Sequence, residues 1–162
     1  NPHISYRDET NSDLRYAKWT GAAWSIQTVD SGGDVGYDTA IGLDANSYPH
    51  IAYYDATNKS LKYAKWNGSA WLTQTLEAGN GVAYPSMKID TNGRPHIAYS
   101  YYNTSNQWYT HYAYWDGNTW QISNVFSGTY IFMPSLALDA ANLPRIAGID
   151  GNAVLRYVVW IQ

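Results

Sequence analysis

The stretch from Pro49 to Arg94 reads PHIAYYDATNKSLKYAKWNGSAWLTQTLEAGNGVAYPSMKIDTNGR, and at Pro95 the text starts again with PHIAY. Upstream, Pro2 opens PHISYRDETNSDLRYAKWTGAAW; downstream, Pro144 opens PRIAGIDGNAVLRYVVW. The openings are 47, 46 and 49 residues apart, which sets repeats at 2–48, 49–94, 95–143 and a partial one at 144–162. Self-similarity in the mid-forties with strand patterning points to the blades of a β-propeller.

Each full repeat holds four short segments separated by turn chemistry. Strand A is Tyr84–Asp90, with counterparts Thr39–Asp44 and Met133–Asp139. Strand B is Pro49–Tyr54, its proline at the first residue, where a missing N–H costs least. Strand C is Leu61–Trp66, alternating Leu, Tyr, Lys with Lys, Ala, Trp. Asn67-Gly68 marks a hairpin, repeated as Thr20-Gly21 and Asp116-Gly117, before strand D at Trp71–Leu76. No apolar helical period exceeds one turn, so the expected class is all-β, with four-stranded antiparallel blades. The order BCD, ABCD, ABCD, ABC gives 14 strands, about three and a half blades in one domain. A part ring leaves blade faces bare, an association hazard. Completion is expected from a second copy, from the rest of a longer protein, or by end-to-end assembly.

Composition narrows the function. The chain has 16 Tyr and 8 Trp but only 2 Phe, and a net charge of −3. Nucleic acid is not an expected partner, since its recognition rests on a basic patch that is missing here. Without cysteine there is no disulfide, thiolate or Cys-ligated metal. No apolar run is long enough for a membrane-spanning helix. The first residue is not Met, so the chain reads as a mature or trimmed product.

The repeat resembles a tandem repeat of bacterial and archaeal extracellular proteins, carried by Pro49–Tyr53, Leu61–Trp71 and Ile89–Gly93. That resemblance implies a secreted or cell-surface propeller. More loosely, the Trp-rich blades are similar to propeller lectins, which bind sugars between adjacent blades. The fourth repeat departs from the pattern, with Arg145 in place of His and Gly148 in place of Tyr.

Repeated polar residues read as scaffold. His3, His50 and His96 share one repeat position and read as half-buried side chains bonded to backbone, with no metal site expected. Asp44, Asp90 and Asp139 in the A–B turn, and Asp8, Asp55 and Asp150 after strand B, read as turn caps. A catalytic acid need occur only once, not once per blade. Glycoside hydrolysis needs two opposed carboxylates, and the only glutamates are Glu9 and Glu77. An enzyme is not expected, nor is a cofactor.

The aromatics have two readings. Trp19, Trp66, Trp115 and Trp160 end strand C, Trp24, Trp71 and Trp120 start strand D, and Tyr16, Tyr63, Tyr112 and Tyr157 lie within C. Blade-to-blade packing is one reading; shallow sugar platforms on an aromatic rim are the other. The third repeat has extra aromatics, including Tyr102 and Trp108. The expected ligand site is therefore Trp19, Trp24, Trp66, Trp71, Trp115, Trp120, Tyr102 and Trp108. The expected function is non-enzymatic binding or adhesion, with glycans or a cell-surface polymer as partner. The alternative is a building block of a surface layer, filament or scaffold that self-associates through open blade faces. Asn58, Asn67 and Asn103 each match the N-glycosylation pattern.

Overall fold

The computed structural model describes residues 1–79, 81–103, 105, 107–125 and 131–159. Among them are 14 β-strands and no helix, arranged in antiparallel sheets whose neighbours follow one another in the chain. The alternating B and C segments and the turn residues between them leave little choice but a meander. The first sheet is β1 (His3–Asp8), β2 (Asp13–Trp19) and β3 (Trp24–Asp30). The second is β4 (Val35–Leu43), β5 (Pro49–Asp55), β6 (Ser60–Trp66) and β7 (Trp71–Ala78). The third is β8 (Gly81–Ile89), β9 (Pro95–Tyr102), β10 (Trp108–Trp115) and β11 (Trp120–Asn124). The fourth is β12 (Ile131–Leu138), β13 (Pro144–Asp150) and β14 (Leu155–Val159).

The chain forms two compact units, Asn1–Ala78 and Gly79–Gln162. In the first, two sheets stack face to face, with β1 and β2 against β4. Leu14, Tyr16 and Val29 of the first sheet meet Val35, Ile51, Tyr53 and Ala64 of the second in one buried cluster. Alternation along each strand sends one set of residues to this seam and the other set to the opposite face. Gly36, at φ +96°, lies so close to the Leu14 backbone that a Cβ would come within 3.0 Å of Leu14 Cα. In the second unit, β12 packs on β8 and β9, and Ala98 and Tyr112 meet Leu136 and Ile146.

The A strands differ from the expected segments. They begin earlier, at Val35, Gly81 and Ile131, and each contains a register shift. The shifts surround Asp38, Tyr84 and Met133, at φ 47°, 54° and 49°. The reason is a bulge: an extra residue sits in the left-handed region, so pairing stops and resumes on its far side. The segments read from sequence caught only the part beyond the bulge.

Candidate functional site

The repeated polar residues build the frame. Asp44, Asp90 and Asp139 each accept two backbone N–H bonds across the A–B turn, from Asn46 and Tyr48, Asn92 and Arg94, and Ala141 and Leu143. Asp8 accepts from the N–H groups of Thr10 and Asn11, Asp55 from that of Asn58, and Asp150 from those of Asn152 and Val154. These are the turn caps read from sequence.

The histidines depart from their expected partner. Each Nδ1 lies 2.5 Å from a strand-C tyrosine hydroxyl: His3 with Tyr16, His50 with Tyr63 and His96 with Tyr112. A side chain, not backbone, is the partner because the B–C register sets the His and Tyr on adjacent strands two positions apart. On the far side of each ring, Nε2 of His50 and of His96 faces Asp44 and Asp90 at 3.6 and 3.7 Å. Burial pushes His50 down to about 4 and also lowers His96, so both imidazoles stay neutral. In the fourth repeat the Arg145 guanidinium reaches Asp139 at 2.5 Å, so arginine takes over the link to the turn aspartate. Among the described residues no three His, Cys, Asp or Glu side chains gather as metal ligands.

The hairpin tryptophans form one recurring device. Trp19 and Trp24, Trp66 and Trp71, and Trp115 and Trp120 pair across the strands in register. Their rings meet edge to face at 5.5, 5.6 and 5.9 Å. The hairpin closes through Gly21, Gly68 and Gly117, at φ 105°, 101° and 115°, where a side chain would be strained. Surroundings then separate the pairs. Trp71 wedges into the seam of the first unit, edge-on to Tyr16 at 5.2 Å, and its indole N–H donates to Gln27 Oε1 at 2.9 Å. Trp24, at the equivalent place on the first sheet, is exposed. Trp160 lies outside the described residues.

Tyr102 and Trp108 behave differently. They face each other across β9 and β10 with ring centroids 4.9 Å apart. Trp108 continues onto Phe132 at 5.6 Å, and Phe132 onto Tyr84 at 5.9 Å. All four rings are half-buried. Phe132 also walls an open cleft of about 480 Å³ with Met133, Gly148, Ile149, Asp150, Gly151 and Ala153. A Cβ on Gly148 would meet Ile131 Cγ2 at 1.9 Å, so Ile131 blocks any side chain at the position that Tyr53 and Tyr99 hold in other repeats. The Asp150 carboxylate is occupied by its turn and by Arg156 Nε at 2.7 Å. Elsewhere, Glu9 is ion-paired with Arg7.

Sequence reading missed Tyr84 and Phe132. Phe132 aligns with Tyr37 and Ala83, so the repeat gives it no signature. One available signal was length: the third repeat spans 49 residues against 46, and the excess is shared by β9, β10 and the turn between them, where Tyr102 and Trp108 stand. Of the glycosylation matches, the Asn58 side-chain amide donates to Asp55, and Asn67 accepts from the Ser69 and Ala70 N–H groups. The third contains Thr104, outside the described residues. No helix among the described residues is long and apolar enough to cross a membrane.

No family model matches the chain, and no curated protein matches it. Solved structures do. A fucose lectin from Kordia zhangzhouensis, in complex with methyl-fucoside, aligns with TM-score 0.52 and 18% identity over 75% of this chain and 91% of the lectin. Hadza microbial sialidase Hz136 aligns with TM-score 0.66 and 12% identity over 94% of this chain and 39% of the sialidase. A bifunctional GH43-CE protein of Bacteroides eggerthii aligns with TM-score 0.55 and 12% identity over 99% of this chain but 23% of its own length. The chain thus spans well under half of either enzyme. At these identities the likeness is one of fold: antiparallel β-sheet architecture shared with a lectin and with carbohydrate-active proteins.

Proposed function

We propose that this chain is a non-catalytic carbohydrate-binding module, a partial β-propeller that works outside the cell or at its surface. The observation that carries the reading is the aromatic wall Tyr84–Phe132–Trp108–Tyr102 beside an open apolar cleft. The CH faces of a pyranose stack on such rings, and shallow sites of this kind suit weak binding strengthened by multivalent display. The fold likeness to a fucose lectin supports the same ligand class. The aspartate lining the cleft, Asp150, accepts from Asn152, Val154 and Arg156, which supports a scaffold role for it rather than a catalytic one. Tyr102 and Trp108 lead the site; Trp66 and Trp115, half-buried on the hairpin rim, are secondary platforms.

The test is multivalent display of the chain on a glycan array that includes fucosides, with Trp108→Ala as control. A sugar–aromatic contact is a stacking contact, so losing one ring is expected to cut binding roughly tenfold, about 1.4 kcal/mol. Absence of any glycan signal from the folded wild type would overturn the reading. Turnover on a panel of aryl glycosides would overturn its non-catalytic part.

A further inference from the structure

The two seams use opposite faces of successive sheets. In the first unit, the face of the first sheet bearing Leu14, Tyr16 and Gln27 is covered by the face of the second bearing Ile51, Tyr53, Ala64 and Trp71. Tyr53 Oη and Lys62 Nζ also reach from that second face to Asp30 of the first sheet. In the second unit the pattern recurs, with Tyr112 of the third sheet under Ile146 of the fourth. Each sheet therefore has a receiving face, marked by the strand-C tyrosine, and a covering face, marked by the strand-B isoleucine and, in the first three sheets, the strand-D tryptophan.

Among the described residues, two such faces are bare. On the first sheet the covering face is open: Ile4 is 45%, Trp24 44% and Ile26 56% exposed, while the equivalent Ile51 is 0%. On the fourth sheet the receiving face is open. Leu155 is 73% and Tyr157 61% exposed, against 0% and 5% for their equivalents Leu14 and Tyr16. Ile149 and Val159 extend that face, and both are exposed, Ile149 at the edge that the face shares with the cleft. Their equivalents on the first sheet are Arg7 and Lys18, so the bare receiving face is more apolar than the covered one. Contiguous exposed apolar side chains of this kind mark an interaction surface.

We propose that the fourth sheet of one copy receives the first sheet of a second copy, head to tail, with Trp24 on Tyr157 as Trp71 lies on Tyr16. A second copy is the occupant proposed because the internal seam shows a strand-C tyrosine face covered by a tryptophan-bearing face, and this chain itself carries such a face exposed, at Trp24. The contact is heterologous, so its two sides can be broken separately.

The experiment is sedimentation velocity of the purified chain with two variants, Ile26→Arg and Tyr157→Arg, both at exposed positions that leave the buried clusters intact. The wild type is expected to exceed its monomer mass of 18.2 kDa as concentration rises. Each variant alone is expected to stay monomeric, and an equal mixture of the two to form a one-to-one dimer, because each retains the face the other lacks. A wild type that remains monomeric at every concentration overturns the proposal. So does association that survives either substitution, or a mixture that fails to pair.

Discussion

Trp71 and Trp108 are the same residue type in adjoining repeats, and the structure uses them in different ways. Trp71 stands at a position every full repeat fills with tryptophan, and its ring and N–H are both committed to the seam with Tyr16 and Gln27. Trp108 opens β10, at the B–C hairpin that the third repeat alone has lengthened, and it joins an aromatic wall at an open cleft. What repeats holds the sheets together; what departs from the repeat carries the candidate site.

The largest effects that would break this comparison are on stability. Trp71→Ala removes a wedge from the seam and is expected to cost about 3 kcal/mol. Trp24→Ala, at the same repeat position but exposed, is expected to cost less than about 1 kcal/mol in the isolated chain. Urea unfolding at low protein concentration checks both, and equal losses would contradict the distinction. Gly148→Ala forces a Cβ against Ile131 and is expected to cost about 2 kcal/mol by overpacking. The midpoint of thermal unfolding reads it directly.

A smaller effect follows pH. His50 and His96 are held neutral by burial, so the unfolded chain binds more protons than the folded one below the ordinary histidine value of about 6.5. Stability is then fully present above that value and declines as pH falls toward about 4, the folded value of His50. Unfolding free energies across this window, compared with a His50→Gln, His96→Gln double variant, should show a shallower decline in the variant. Gln27→Ala, which removes the acceptor for the Trp71 N–H, is expected to cost about 1 kcal/mol, read by the same urea unfolding.

Much of this was legible in the sequence. The proline-led openings, the Asn-Gly type hairpins and the C-strand alternation locate the B, C and D strands and the far half of each A strand, because turn chemistry and period are local properties. The Asp caps were legible for the same reason. The A-strand bulges were not: Asp38, Tyr84 and Met133 share no residue type, and two of them are poor candidates for a positive φ. Tyr102 and Trp108 stood out as an aromatic excess. Phe132 and Tyr84 did not, since only the stacking of β12 on β8 and β9 brings them to the cluster. The histidine–tyrosine link was hidden too, because it depends on strand register rather than on either residue alone.

The most direct test follows the indole N–H resonances of the eight tryptophans while a glycan found on the array is titrated in. The account predicts that the Trp108 signal moves with ligand while that of Trp71, whose N–H is held by Gln27, stays in place. Movement of the repeated tryptophans with Trp108 unchanged would contradict it, and would put the binding function in the repeat itself.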